Sequence, residues 1–223
     1  MASLGALPLL LLLLLLSSSA SSRRVSLALY YESLCPYCSS FIVDRLPSIF
    51  NNGLISDVDL HFVPFGNAEL GSDGSITCQH GSDECFLNYI EACAVSVWPD
   101  PHVHFSFIHC VENLVEQNLY NQWTSCFRST GLNSQPVVDC YNRGTGSKLE
   151  LQYAAQTNAL QPPHQYVPWV VVDGQPIYSD YNNFEAYICN ALNGELPSAC
   201  EGHSLMTFQE TDTNRTAGVC RVH

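Results

Sequence analysis

Apolar side chains occupy alternate positions early in the chain, at Val25, Leu27, Leu29 and Tyr31. This period of two predicts a β-strand over residues 25–32 with one buried face. The spacing then becomes helical, with apolar residues at Ile42, Leu46, Ile49 and Phe50. The pattern predicts a helix that Pro47 kinks or ends. Alternation returns over residues 58–64, so this part of the chain predicts a parallel β-α-β unit.

A mostly helical region is predicted between about residues 66 and 163. Helical apolar spacing begins near Asp83 and again near Val103, and prolines in the run Trp98-Pro99-Asp100-Pro101 separate the two helices. Shorter helices are predicted near residues 135–141 and 147–160. The region is rich in cysteine and interrupts the strand–helix alternation, which indicates an insertion into an α/β domain.

The strand pattern returns over residues 167–178. An apolar run there is followed by Asp173-Gly174, the dipeptide typical of a tight β-hairpin. A last helix is predicted from about Asn183 to Leu192. The predicted fold class is therefore α/β, in the order β-α-β, helical disulfide-rich insertion between the second and third strands, β-β-α.

The first residues are typical of a signal peptide. Residues 4–16 form an almost unbroken apolar run, and small residues follow at positions 17–20. The run is too short for a membrane span, and the small residues suit cleavage after about Ala20. The alternative is an uncleaved anchor. No later stretch is long and apolar enough to cross a bilayer, so we expect no membrane insertion after signal cleavage.

The remaining chain is predicted to form one domain over residues 25–200, followed by a polar tail over residues 201–223. The tail lacks periodic apolar positions. It carries the sequon Asn214-Arg215-Thr216, a candidate glycosylation site that agrees with entry into the secretory pathway.

The formal net charge of −13 argues against binding to nucleic acid or to anionic membrane surfaces. Eleven cysteines behind a signal peptide indicate an oxidising compartment and structural disulfides. Because the number is odd, at least one thiol is expected to be unpaired within the chain. Cys220, in the polar tail, is the candidate for that thiol.

Cys35 and Cys38 are the candidate catalytic residues. Pro36 suits the first turn of a helix, which places Cys35 at the helix N-terminus, where unpaired amides and the helix dipole favour a thiolate. Cys38 follows one turn later and can form a disulfide with Cys35. This arrangement indicates thiol–disulfide exchange. The alternatives are a structural disulfide or half of a zinc site, but the chain has no second Cys-x-x-Cys, so no metal and no other cofactor are expected.

A second group of cysteines begins in the block Cys78-Gln79-His80-Gly81-Ser82-Asp83-Glu84-Cys85 and continues to Cys93. If Cys85 and Cys93 share a helix, eight residues separate them by about 12 Å, beyond the disulfide limit of about 7 Å. They are expected to pair elsewhere, with Cys110, Cys126 or Cys140 as potential partners. A metal site is the alternative, and His80 either supports the loop or donates protons. The structural disulfide candidates are Cys78, Cys85, Cys93, Cys110, Cys126, Cys140, Cys189 and Cys200, with Cys189 and Cys200 a potential pair.

A Cys-x-x-Cys at the first helix and Val167-Pro168 before the third strand resemble the thioredoxin fold. The block from Cys78 to Cys93 resembles the pattern C-Q-H-G-x-x-E-C-x-x-N-x-x-x-x-C of the gamma-interferon-inducible lysosomal thiol reductase (GILT) family, and every fixed position is met. The resemblance implies a thioredoxin-like fold, with a cis proline at Pro168 facing the cysteine pair. It also implies an enzyme that reduces protein disulfides through Cys35 and Cys38, often in acidic endolysosomal compartments.

The expected partners are therefore disulfide-containing protein substrates and a small-thiol or protein reductant. Pro168, Tyr37 and Trp169 are the candidate substrate-binding residues, although both aromatic side chains also suit simple packing. The expected location is extracellular, lysosomal or vacuolar. Two rival functions stay open: a thiol oxidase or isomerase of the secretory pathway, and a non-catalytic secreted binding protein held by disulfides.

Overall fold

The computed structural model describes residues 23–194, 196–202 and 218–222. The predicted signal peptide and the sequon at Asn214 lie outside these residues. The strands of the described chain are β1 (Val25–Tyr31), β2 (Val58–Pro64), β3 (Glu69–Leu70), β4 (Ile76–Thr77), β5 (Tyr166–Val167), β6 (Trp169–Val172), β7 (Gln175–Pro176) and β8 (Cys220–Arg221).

The α-helices are α1 (Pro36–Ser40), α2 (Pro47–Asn51), α3 (Ser82–Val97), α4 (Pro101–Glu116), α5 (Ser125–Thr130), α6 (Gln135–Asn142), α7 (Thr145–Asn158) and α8 (Phe184–Ala191). A π-helical segment at Phe41–Arg45 lies between α1 and α2, and short 3-10 helices occupy Leu54–Asp57, Tyr120–Gln122, Tyr178–Asn183 and Ser198–Cys200. None of the helices in the described ranges is both long and apolar enough to span a membrane.

The main sheet has four strands in the order β2-β1-β6-β7. Strand β1 is parallel to β2, with Val25 opposite Val58, and antiparallel to β6. The connection from β6 to β7 is the hairpin that Asp173-Gly174 predicts, and both residues have the positive φ that such a turn requires. These pairings confirm the predicted β-α-β unit and the predicted hairpin.

The predicted first helix is divided into three parts. Its apolar face, which includes Phe41, Ile42, Leu46 and Ile49, is buried against the sheet as the spacing indicates. Pro47 begins α2, where the absence of an amide hydrogen is tolerated. Pro47 was predicted to kink or end the helix. The observed irregularity is the π-helical turn at Phe41–Arg45, which comes just before the proline.

The helical insertion lies between β2 and β5 and has its own apolar core. Leu87 and Ile90 on α3 pack with Phe107 and Val111 on α4 in this core. Helices α6 and α7 begin and end within three residues of the predicted bounds, and α3 and α4 begin within two residues of the predicted starts. Helix α5 and the hairpin of β3 and β4 were not predicted, because each is too short to show a period.

Candidate active site

Cys35 lies at the start of the first helix, in the turn that joins β1 to α1. It is the N-cap residue, its backbone is extended (φ −77°, ψ 116°), and Pro36 is in the first turn. Leu34 has a φ of +68°, a backbone conformation that residues other than glycine rarely adopt. The amide of Ser33 donates a hydrogen bond of 2.9 Å to Oδ1 of buried Asn88 on α3. Asn88 therefore anchors the turn that presents Cys35.

The sulfur of Cys35 forms a disulfide with Cys220, and Cys38 is the unpaired thiol of the described chain. The prediction that Cys220 is the odd thiol is therefore wrong. The physical reason is that β8 pairs with β5 and brings Cys220 to the N-terminus of α1. This return of the tail has no signature in the sequence, because a two-residue strand shows no period.

Cys38 is fully buried beneath this disulfide. Burial raises the pKa of the Cys38 thiol well above its ordinary value, and the charge of Glu32 raises it further. A hydrogen bond from the Glu32 backbone lowers the pKa but does not offset burial. Cys38 is therefore held as a neutral thiol until a change at the site lets it ionise.

The other eight cysteines form four disulfides: Cys78–Cys85, Cys93–Cys140, Cys110–Cys126 and Cys189–Cys200. Cys85 and Cys93 pair with different partners, as the length of the helix requires. The first three bonds lie in the insertion, and the last joins α8 to the 3-10 helix that follows it. Five disulfides in the described chain suit a protein of the secretory pathway.

A buried carboxyl lies beside the reactive sulfurs. A side-chain oxygen of Glu32 and the sulfurs of Cys35 and Cys220 lie within 4.8 Å of one another. Glu32 is fully buried, and its Oε2 accepts a 2.7 Å hydrogen bond from the amide of Asn67. Burial raises the pKa of Glu32 to about 8, the charge of Glu84 contributes to the shift, and the Asn67 hydrogen bond opposes it.

His80 joins Glu32 to the second carboxyl of this cluster, that of Glu84. Its Nδ1 lies 2.7 Å from Oε2 of Glu84 and 3.5 Å from Oε1 of Glu32. The three residues are close enough to hold a metal ion. However, burial raises the pKa of both carboxyls, that of Glu32 to about 8, so a metal ion would have to displace the proton that Glu32 holds below this pH. The cluster is therefore better suited to holding protons near the sulfurs.

A second buried pair of carboxyls, Glu91 and Glu112, lies below α1. The hydroxyl of Tyr31 donates a 2.6 Å hydrogen bond to Glu91, and the hydroxyl of Ser39 donates one to Glu112. Burial raises the pKa of both carboxyls. Protonation of at least one of them removes the repulsion between two adjacent carboxylates. The raised pKa of Glu91 and Glu112 therefore favours the neutral form of these two carboxyls beneath the site.

The candidate substrate-binding residues differ in their accessibility. The peptide bond between Val167 and Pro168 is cis, as the resemblance implies, and the carbonyl oxygen of Val167 lies 4.0 Å from the Cys35 sulfur. Tyr37 is 42% exposed at the rim of the site. Trp169 is only 2% exposed and contacts the rings of Tyr166 and Tyr178 edge-on. Its ring therefore belongs to the packed interior, and of the two aromatic candidates only Tyr37 offers an exposed surface.

Glu32, Asn67, Gln79 and Asn88 were not predicted from the sequence to be site residues. A signal was present for three of them: Glu32 is three residues before Cys35, and Gln79 and Asn88 are fixed positions of the cysteine-rich pattern. The structure gives these fixed positions distinct contacts. Gln79 bonds to Asn67 and to the tail, whereas Asn88 bonds to the turn before Cys35.

Comparison with known proteins agrees with this geometry. The family model described as "Gamma interferon inducible lysosomal thiol reductase (GILT)" matches residues 26–130. A protein of Arabidopsis thaliana, "Gamma-interferon-responsive lysosomal thiol protein", is 45% identical over 189 residues, which cover 82% of this chain and 78% of that protein. The chain belongs to the GILT family.

Other relatives extend this assignment. The "Gamma-interferon-inducible lysosomal thiol reductase" of Carassius auratus is 36% identical over 190 residues, covering 79% of this chain and 72% of that protein. The protein of the same name in Mus musculus is 33% identical and covers 79% and 71%. Membership of the family indicates an oxidoreductase that acts on disulfides.

Solved structures establish the fold. The oxidised DsbA of Mycobacterium tuberculosis has a TM-score of 0.58 at 17% identity and covers 83% of this chain and 91% of its own. The reduced DsbG of the same organism has a TM-score of 0.55 at 17% identity and covers 80% and 83%. These values confirm the predicted thioredoxin-like fold with its helical insertion.

Proposed function

We propose that this protein reduces disulfide bonds of protein substrates, with Cys35 as the attacking thiol and Cys38 as the resolving thiol. The observation that carries the proposal is the position of the two cysteines. Cys35 is the N-cap of a helix, and the unpaired thiol of Cys38 lies one turn further along the same helix. This is the arrangement that two consecutive thiol–disulfide exchanges require.

The reaction proceeds in two exchanges. The thiolate of Cys35 attacks one sulfur of the substrate disulfide, which forms a mixed disulfide and releases the other substrate sulfur as a thiolate that takes up a proton. Cys38 then loses its proton and attacks the sulfur of Cys35. A disulfide between Cys35 and Cys38 forms, and the second substrate thiol leaves. Two equivalents of a small thiol, or one dithiol protein, return the enzyme to its reduced state and become oxidised.

Two features of the site support a reactive thiolate at Cys35. The helix N-terminus supplies amides and a dipole that stabilise negative charge. The raised pKa of Glu32 keeps this neighbouring carboxyl neutral below about pH 8, so that in an acidic compartment it does not oppose the thiolate. These features are compatible with the acidic endolysosomal setting that we propose.

The substrate is proposed to approach along the strand that precedes Pro168. The carbonyl of Val167 faces the Cys35 sulfur, and backbone groups at such a position can pair with an extended peptide. Tyr37 would provide an apolar contact at the rim. A domain over residues 25–200 would carry the activity, while signal peptide cleavage after about Ala20 and glycosylation at Asn214 stay predictions.

Reduction of insulin by a small thiol tests the proposal, at about pH 5, an acidity well below the pKa of an ordinary thiol. The wild-type protein is expected to accelerate the reaction. Cys35→Ser is expected to abolish the acceleration, and Cys38→Ser to accumulate mixed disulfides. A wild-type protein without activity at any pH would contradict the proposed function. Oxidation of a reduced substrate without reduction of insulin would identify the opposite direction of electron flow.

A further inference from the structure

Residues 218–222 lie in the groove beside Cys35 as an extended segment. Strand β8 is antiparallel to β5, with Cys220 opposite Val167 and Arg221 opposite Tyr166. The amide of Val222 donates a 3.2 Å hydrogen bond to the carbonyl of Gln165. The tail thus adds a strand to the edge that leads into Pro168, in the manner by which extended peptides bind to exposed strands.

The opposite side of the groove contacts the backbone of the same segment. Nδ2 of Asn67 donates a 3.0 Å hydrogen bond to the carbonyl of Cys220, and Nε2 of Gln79 donates a 2.8 Å bond to the carbonyl of Arg221. A further bond of 2.9 Å, from Asn67 to Gln79, fixes the two side chains relative to each other. Because these bonds reach only backbone carbonyls, the groove can hold an extended peptide whatever its side chains at these positions.

The start of the segment is held at the rim. The hydroxyl of Tyr181 donates a 2.7 Å hydrogen bond to the carbonyl of Gly218. The ring of Tyr37 lies directly against Gly218 and leaves no room there for a β-carbon. The segment is therefore held by backbone contacts along its length and by the disulfide from Cys220 to Cys35.

We propose that residues 218–222 are an internal substrate of the enzyme and that Cys220 is its third redox-active cysteine. The proposal rests on the proposed function, because it assigns to Cys220 the place of a substrate cysteine. The Cys35–Cys220 bond then corresponds to the mixed disulfide of the catalytic cycle, with the resolving thiol of Cys38 still unbonded.

Exchange within the chain needs no external oxidant or reductant. The Cys38 thiol loses its proton and attacks the sulfur of Cys35. The Cys35–Cys38 bond forms, the Cys35–Cys220 bond breaks, and the Cys220 thiolate takes up a proton. One disulfide and one thiol are present before and after, so the step is redox-neutral.

The internal substrate competes with external ones. While Cys35 is bonded to Cys220, it cannot attack an external disulfide. Because Cys220 is attached to the same chain and acts at an effective concentration of about millimolar, whereas protein substrates are micromolar, we expect this bond to slow their reduction at least tenfold. The backbone bonds that Asn67 and Gln79 donate can be made to a cysteine within extended polypeptide but not to a small disulfide. The groove therefore selects cysteines that lie within extended polypeptide.

Peptide mapping tests the covalent part of the proposal. Full-length Cys38→Ser protein, oxidised and then alkylated at acidic pH, is digested without reduction and analysed by mass spectrometry. The proposal predicts a peptide containing Cys35 linked to a peptide containing Cys220. Recovery of Cys220 only as an alkylated free thiol would overturn the proposal.

The competition is tested by comparing full-length Cys220→Ser with the wild type in insulin reduction. The variant is expected to be at least tenfold faster at micromolar insulin. Leu196→Ser, which changes an exposed side chain outside the groove, is the matched control and should behave as wild type. Equal rates of insulin reduction for wild type and Cys220→Ser would overturn the competition.

The outcomes separate this proposal from the proposed function. If the linked peptide is found but neither protein reduces insulin, the tail linkage stands and the reductase function fails. If both proteins reduce insulin equally well and the linked peptide is missing, the reductase function stands and the internal substrate fails.

Discussion

Nδ1 of His80 lies 3.5 Å from Oε1 of Glu32, the fully buried carboxyl three residues before Cys35. Through this contact, a residue of the cysteine-rich segment from Cys78 to Cys93 lies against a carboxyl of the redox site, although the two are far apart in the sequence. His80 is partly exposed, whereas Glu32 is not. The pair therefore links solvent to a titratable group that lies next to the reactive sulfurs.

Replacement of Glu32 by glutamine is expected to lower the pKa of Cys38. Burial is the main reason that this pKa is high, but the Glu32 charge adds to it, and Glu32→Gln removes that charge. The Cys38 β-carbon chemical shift, followed by NMR against pH in the reduced protein, measures the effect. Glu150→Gln is the matched control, because Glu150 is also a buried glutamate but does not contribute to the Cys38 pKa. A Cys38 pKa that stays unchanged or rises in Glu32→Gln would refute this assignment.

Asn88→Ala is expected to destabilise the protein by about 1–3 kcal/mol, because it leaves the buried amide of Ser33 without its hydrogen-bond acceptor. It should also slow insulin reduction at temperatures where the variant is folded, since the turn that presents Cys35 loses its anchor. Urea unfolding and the reduction rate measure the two effects. Asn113→Ala, at a half-buried position on α4, serves as the control and should change neither. Full stability in Asn88→Ala would show that the Ser33 amide does not depend on Asn88.

The sequence predicts the fold well where burial follows a regular period. The bounds of β2 and the hairpin at Asp173-Gly174 agree with the structure because alternation and turn chemistry are local properties. The partner of Cys35 could not be predicted in this way. Cys220 is held next to Cys35 by a two-residue strand pairing and by hydrogen bonds that the side chains of Asn67 and Gln79 donate to the backbone of the tail. The burial of Glu32 is likewise a tertiary outcome, since a carboxyl at the end of a strand is more often exposed.

Stability is expected to fall as the pH rises from about 6.5 to about 8. Burial raises the pKa of five carboxyls above their ordinary value, to about 8 for Glu32 and upward for Glu84, Glu91, Glu112 and Glu150. A raised pKa means that the folded state binds more protons than the unfolded state, so stability is present below the unfolded pKa and is lost as the pH rises through the folded one.

The imidazoles of His104, which is buried, and His164, which is half-buried, act in the opposite sense. Burial lowers the pKa of both, so they reduce stability below about pH 6.5 and have little effect above it. Urea unfolding between about pH 6.5 and 8 therefore isolates the carboxyls, each of which contributes up to about 1.4 kcal/mol per pH unit. Glu150→Gln should reduce the slope, and a stability that rises over this interval would contradict the buried neutral carboxyls.

Tyr37 and Trp169 are expected to have opposite effects when each is replaced by alanine. Trp169→Ala should cost about 3–5 kcal/mol in unfolding free energy, because the ring is almost fully buried. Tyr37→Ala should leave stability nearly unchanged and raise the KM for a protein disulfide about fivefold, the equivalent of an aromatic contact of about 1 kcal/mol. Chemical denaturation and steady-state kinetics measure the two effects. A change in stability but not in KM for Tyr37→Ala would place that ring in the packed structure instead.

The most direct test of the attacking role of Cys35 is capture of a substrate by the Cys38→Ser/Cys220→Ser double variant. Neither the resolving thiol nor the tail cysteine can then release the mixed disulfide. The reduced variant is incubated with a peptide that contains a disulfide, alkylated in acid and mapped by mass spectrometry. We predict that one of the two cysteines of the substrate disulfide is recovered in a disulfide bond with Cys35. Recovery of Cys35 only as the alkylated thiol would contradict its role as the attacking residue.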